Sequence, residues 1–111
     1  MITENSPAQD NFLPVKVKGK MVHLQKSDIL WLQSERNYTH MHMRNGDVYI
    51  VRSTINAMHA LLPADFIRIH KSYVVNRAYL NRLNVSEIWI KEQKLPVGRK
   101  YRKEITGQIK K

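Results

Sequence analysis

From Leu13 onward the chain consists of short apolar runs, each ended within a few residues by a turn signal. This punctuation constrains the fold more than any other feature, because it leaves room for short strands and little room for long helices. Val15 and Val17 alternate with Lys16 and Lys18, the pattern of a half-buried strand. Gly19-Lys20 predicts a two-residue turn, after which residues 21–25 pair back as a hairpin. Residues 29–32 are continuously apolar and predict a strand buried on both faces, and Ser34-Glu35-Arg36-Asn37 follows as a polar loop. In residues 38–44 Tyr38, His40, His42 and Arg44 share one face, with Thr39, Met41 and Met43 on the other. Asn45-Gly46 predicts a tight turn with both residues at positive φ, and residues 47–52 form the returning strand.

The period changes once. Ile55, Met58, Leu61 and Leu62 fall at helical spacing, so residues 53–62 predict a short helix with Ser53 or Thr54 as N-cap and Pro63 as its stop. Strand patterning resumes over residues 66–70, 73–75, 79–85 and 87–91. Glu92-Gln93-Lys94 then turns into Leu95-Pro96-Val97. Residues 99–109 predict a helical turn with Ile105 and Ile109 on one side, weakened by Gly107. The expected fold is mainly β: short antiparallel strands in stacked small sheets, one short central helix and a C-terminal helical turn. A mixed α+β fold with a longer C-terminal helix is the alternative.

The 111 residues suit one domain, with residues 1–12 as a flexible leader or linker and 13–111 as the folded unit. There is no cysteine, hence no disulfide framework and no thiolate zinc site. No window approaches the length of a membrane span, and residues 1–11 lack the basic start and apolar stretch of a signal peptide. A cytoplasmic location without membrane partners is expected.

Charge is distributed unevenly. Residues 66–111 hold 12 Lys or Arg against 3 acids, whereas residues 1–65 hold 7 against 6. A field of this kind steers anions and binds phosphate backbones through counterion release. Within residues 66–77, Arg68, His70, Lys71, Asn76 and Arg77 are interleaved with apolar residues that are strand or core. A second basic run follows at Gly98-Arg99-Lys100-Tyr101-Arg102-Lys103. A solvated basic surface without a partner is the plainer reading of such clusters, and a nucleic-acid interface accounts better for their concentration.

Catalytic constellations are missing. Ser72 lies two residues from His70 without a glycine-rich elbow, the nine acids are scattered over turns, and the four glycines form no phosphate-cradling loop. His40-x-His42 has two imidazoles on one strand face but no third ligand nearby, so no metal and no cofactor is expected. A DNA reader needs Lys and Arg to hold phosphates and Arg, Asn or Gln to reach base edges. Residues 34–40, 68–77 and 99–103 offer such groups at strand ends and turns. The helix at 53–62 has no basic face, so recognition would fall to loops.

Certain segments, taken in order, carry a family resemblance. They are Asp28-Ile29-Leu30-Trp31-Leu32-Gln33-Ser34, Asn37-Tyr38-Thr39-His40-Met41-His42, Asn45-Gly46, residues 66–76 (Phe-Ile-Arg-Ile-His-Lys-Ser-Tyr-Val-Val-Asn) and Leu95-Pro96-Val97-Gly98-Arg99-Lys100-Tyr101. Over roughly residues 14–108 the chain resembles the LytTR-type DNA-binding domain, the output module of many bacterial response regulators. The resemblance implies stacked antiparallel sheets with a small helix, and loops that enter successive major grooves at direct-repeat promoter elements. Carried over, it implies DNA contacts by Arg36, Asn37, Tyr38, Thr39 and His40, then by His70 and Lys71, and by Arg99, Lys100 and Tyr101. Arg68, Arg77 and Lys103 complete the candidate set on charge. The family often has Ser where this chain has Gly98. The implied partners are duplex DNA, a second copy of the domain on the DNA, and a receiver domain or sensor kinase outside this chain. A stand-alone regulator and the output part of a longer protein both remain open.

Two rival readings stand beside this one. Tyr38, His40 and His42 on one strand face suggest a stacking platform for single-stranded nucleic acid. The basic face also suits docking of an acidic protein. For single residues, pinning the fold by pairing with an acid is an equal reading of Arg68, Asn76 suits a turn cap, and His70 suits a half-buried hydrogen bonder beside its loop.

Overall fold

A computed structural model describes residues 11–84, 86–103 and 105. The expected leader at 1–12 lies outside them up to residue 10, and the first strand opens at Phe12. In chain order the elements are β1 (Phe12–Val17), β2 (Lys20–Gln25), β3 (Ile29–Glu35), β4 (Tyr38–Met43), β5 (Val48–Val51), α1 (Ile55–Ala60), β6 (Phe66–His70), β7 (Tyr73–Asn76), β8 (Leu80–Leu83), β9 (Glu87–Ile90) and β10 (Gln93–Pro96). Three-residue 3-10 turns precede β3 and β8 and follow β10.

The strands form three antiparallel sheets: β1-β2, the central β5-β4-β3-β7-β6, and β10-β9-β8. The β1-β2 hairpin and α1 cover one face of the central sheet around Leu13, Val15, Leu24, Leu32, Met41, Val51, Ile55, Met58 and Val74. The β8–β10 sheet covers part of the other around Trp31, Ile67, Ile69, Val75, Ile88, Ile90 and Leu95. β3 is the shared wall. Ile29, Leu30, Trp31 and Leu32 are all buried, as their apolar run predicts. A register shift between Ile29 and Trp31 lets the neighbours Leu30 and Trp31 both join the second core while Ile29 and Leu32 serve the first. Asn76, 3% exposed, ties β7 to this wall. Its amide donates to the Ile29 carbonyl at 2.9 Å, and its Oδ1 accepts the Ala78 N–H at 3.0 Å, capping the 3-10 turn.

The turns differ from expectation in detail. The first hairpin turns at Lys18-Gly19 rather than Gly19-Lys20: both residues have positive φ (52° and 81°), and Lys20 already pairs with Val17. The expected polar loop at 34–37 is reduced to Arg36-Asn37, because Ser34 and Glu35 continue the ladder against Thr39 and Tyr38. Arg36 adopts φ 57°. Asn45-Gly46 is not a two-residue turn. Gly46 alone has positive φ there. The Met43 N–H reaches the Asp47 carbonyl at 2.9 Å and the Gly46 N–H reaches the Met43 carbonyl at 3.0 Å, a three-residue loop with a glycine bulge.

The helix is shorter than expected. Thr54 is its N-cap, accepting from the Ala57 N–H at 3.1 Å, and Leu61 closes it. Lys91-Glu92 forms the last hairpin turn, one residue earlier than predicted, with Lys91 at φ 56°. The C-terminal helical turn is present at 99–103 and 105, with Ile105 buried, and the rest of that prediction lies outside the described residues. No helix among the described residues is long and apolar enough to cross a membrane.

Candidate nucleic-acid interface

Antiparallel pairing decides which loops meet. Gln33 pairs with Tyr73 and Glu35 with Tyr38, so the Arg36-Asn37 turn and the Lys71-Ser72 turn lie at the same end of the central sheet. The Ser34 N–H donates to the Ser72 carbonyl at 2.8 Å, which links the two. The chain leaving β10 comes to the same end, where the Gly98 N–H donates to the Ile69 carbonyl at 2.7 Å. A side chain at Gly98 would press on the Tyr101 ring, since a Cβ there would stand 3.0 Å from Tyr101 Cδ2 and 3.5 Å from the Cα of His70. The bare backbone lets the Arg99–Tyr101 turn close onto His70. Three segments far apart in sequence thus form one loop cluster.

The cluster is basic. Arg36, Lys71, Arg99 and Lys100 are exposed, with Arg52 at the end of β5 beside them. Asp28, Asp47, Asp65 and Glu92 fall at the other end of the sheets, while Glu35, before the Arg36 turn, and Glu87, opposite Pro96, are the acids at the loop end. The Lys94–Glu87 pair at 3.3 Å and the Arg44–Asp28 pair at 3.4 Å involve none of the loop-end cations.

Arg68 organises the middle loop. Its Nε donates to the His70 carbonyl (2.8 Å), Nη2 to the Lys71 carbonyl (2.7 Å) and Nη1 to Asn56 Oδ1 on α1 (2.5 Å). Arg68 does pin the fold, but through carbonyls and an amide instead of an acid. The Nδ1 of His70 accepts the Ser72 N–H at 3.0 Å, and its ring meets Tyr73 edge-on at 5.5 Å. Burial, then the nearby Lys71 and Arg68 charges, hold the His70 imidazole below its ordinary value.

Not every candidate sits with the cluster. Thr39 is 0% exposed and donates its hydroxyl to the Ser53 carbonyl at 2.8 Å, so it sits in the core behind the turn. Arg77 follows β7 at the opposite end, where its N–H reaches the Asp65 carbonyl at 2.9 Å. His40 is half-buried on the outer sheet face opposite Ile50, behind the turn. Asn37 and Tyr38 are exposed at the turn, Tyr101 is half-buried with Lys100 Nζ 5.8 Å from its ring centre, and Lys103 is exposed one helical turn on. His42 stacks on Trp31 at 4.2 Å, and burial followed by the His40 charge lowers its pKa. Among the described residues no three metal-ligating side chains come together.

Residues 19–110 match the family model described as the LytTr DNA-binding domain. The chain belongs to the LytTR family. It is therefore a DNA-binding domain of a non-enzymatic family found in response regulators. It is 31% identical over 110 residues to the sensory transduction protein LytT of Bacillus subtilis, covering 92% of this chain and 45% of that protein. It is 26% identical over 106 residues to the transcriptional regulatory protein LytR of Staphylococcus aureus, covering 90% and 43%. The chain thus spans about half the length of these curated relatives. A solved LytTr DNA-binding domain from a Bacillus cereus protein superimposes with a TM-score of 0.77 at 17% identity, covering 91% of this chain and 98% of that one. That likeness concerns the fold, and it agrees with the three-sheet LytTR arrangement described above.

Sequence reasoning missed Arg52 and Asn56. Arg52 comes beside the cluster only through strand pairing, and Asn56 reaches it only through Arg68. No local pattern announces such neighbours.

Proposed function

We propose that this LytTR domain is the sequence-specific duplex DNA reader of a bacterial transcriptional regulator. Its loop cluster enters the major groove at direct-repeat promoter elements, and two copies occupy the tandem repeats. Lys71, Arg99 and Lys100 hold phosphates, and Arg36 and Asn37 reach base edges, with Arg68 and His70 stiffening the central loop. A receiver domain elsewhere in the regulator would supply its control. The observation that carries this reading is the gathering of the 36–37, 71–72 and 98–101 segments at one end of the sheets, where exposed cations outnumber Glu35 and Glu87. Loops held on paired strands lose little freedom on binding, which favours directional contacts over loose electrostatic adhesion.

The single-strand alternative needs a row of free aromatic faces. With His42 stacked on Trp31 and His40 half-buried, only Tyr38 of the three suggested rings is exposed on that strand. Binding selection from a random duplex library, near physiological salt and with excess non-specific competitor, tests the proposal. Enrichment of a direct-repeat motif is the expected result. Recovery of DNA without any motif would reduce the domain to a basic surface.

A further inference from the structure

The three loops are not the whole of the basic end. A cleft of about 970 Å³ opens beside them, between the β1-β2 hairpin and β5, the edge strand of the central sheet. Lys16, Lys18 and Arg52 line it, and no acid does. Its apolar lining includes Tyr38, Val48 and Ile50, which are 42%, 45% and 49% exposed, among the largest apolar exposures in the domain. Tyr38 is also the first residue after the Arg36-Asn37 turn, so the cleft is continuous with the loop cluster.

Lys18 occupies the tip of its hairpin at φ 52°, a left-handed conformation that an L side chain adopts at a cost and glycine adopts freely. A cation is thus kept at a strained tip, next to the edge of the loop cluster. Arg36 repeats the arrangement at the neighbouring turn, at φ 57°.

We propose that this cleft seats the sugar–phosphate backbone of duplex DNA flanking the stretch engaged by the loops, an inference that rests on the duplex-reading function proposed above. A nucleic-acid strand alternates phosphate anions with apolar deoxyribose faces. A cleft with cations on its rim and Tyr38, Val48 and Ile50 on its floor complements both. Lys18 and Arg52 hold phosphates, and Tyr38 and Ile50 pack against the sugars between them. The cleft reads no bases. It lengthens the footprint on one side and adds affinity without sequence preference.

Binding to a mixed-sequence duplex, measured as a function of salt concentration, tests this without a known operator. The Lys18→Gln/Arg52→Gln double variant is compared with wild type, with Lys71→Gln as a loop variant and with Lys91→Gln at the opposite end. Both positions of the double variant are exposed, and circular dichroism checks that it folds. The expected result is a salt slope reduced by about two units and affinity reduced roughly tenfold, with Lys91→Gln unchanged. A double variant with wild-type slope and affinity, alongside a weakened Lys71→Gln, overturns the cleft and leaves the loop assignment standing. Wild-type protein that fails to bind duplex DNA overturns both. A double variant that binds duplex normally but no longer self-associates, or no longer binds an acidic peptide such as poly-glutamate, also overturns the cleft by giving it a different occupant.

Discussion

Arg68 Nη2 donates to the carbonyl oxygen of Lys71 at 2.7 Å, so the residue that holds the loop and the residue that projects from it are directly bonded. Arg68 is itself half-buried, and Lys71 is exposed. The division of labour is therefore between a guanidinium spent on shaping the loop and an ammonium left for solvent or phosphate. Replacing Arg68 with Ala removes three hydrogen bonds from a charged donor. It should cost about 2 kcal/mol in denaturant unfolding and weaken DNA binding as the loop loosens. Arg68→Lys restores the charge without the planar fork and should rescue neither. Full rescue of binding by Lys would mean that the charge alone matters.

Lys71→Ala and Lys100→Ala should each lower the salt slope of duplex binding by about one unit, with little change in unfolding midpoint. If either contact is to a base instead, discrimination at one position of the selected motif should fall by roughly 1–3 kcal/mol. Salt titrations on matched and mismatched duplexes separate the two outcomes. Unchanged affinity in both variants would remove these loops from the interface.

Thr39→Val keeps the shape of a fully buried side chain and deletes the hydroxyl that donates to the Ser53 carbonyl. Stability should drop by about 1–2 kcal/mol, and DNA specificity should be unchanged. A specific loss of base discrimination in an otherwise stable variant would return Thr39 to the interface.

Lys18→Gly relieves a left-handed backbone at an exposed turn. The gain from strain relief is partly offset by the greater freedom of glycine in the unfolded chain, leaving about 0.5–1 kcal/mol of added stability. Duplex affinity should fall at the same time. A variant that is both more stable and tighter on DNA would show that the lysine has no role in binding.

His70 and His42 both lie below the ordinary imidazole value of 6.5 in the folded chain. The unfolded chain therefore takes up protons first as pH falls. The stability these residues contribute is fully present above 6.5 and is lost as pH drops toward their folded values. Protonating His70 would also place a hydrogen on the Nδ1 that accepts the Ser72 N–H. Denaturant midpoints at about pH 7.5 and about pH 5.5 should show a loss at the lower pH that His42→Gln and His70→Gln each reduce.

Much of the fold is legible in the chain because apolar periodicity acts locally. The run at residues 29–32, the alternation at Thr39, Met41 and Met43, and the helical spacing of Ile55 and Met58 each assign a buried face. Turn placement is less legible. Lys18, Arg36 and Lys91 adopt positive φ where propensity favours Gly or Asn, because strand register on both sides leaves the turn no other length. The candidate site is partly legible by the same logic. Lys71, Arg99 and Lys100 stand out as cations without an apolar reason for their positions. Alternation places Thr39 on the buried face with Met41 and Met43, and only the family resemblance makes it a candidate for DNA contact. Arg77 is one residue past β7 and so at the end opposite the loop cluster, a fact that depends on the β3-β7 pairing rather than on its neighbours.

The central claim is that duplex DNA is engaged by one end of this domain, and amide chemical-shift mapping on titration with a selected duplex addresses it directly. The account predicts that the largest changes fall at Arg36, Asn37, Lys71, Ser72, Gly98 and Arg99, while Asn45, Gly46, Lys91 and Glu92 at the far end stay unmoved. Changes centred on those far turns, with the three loops silent, would contradict it.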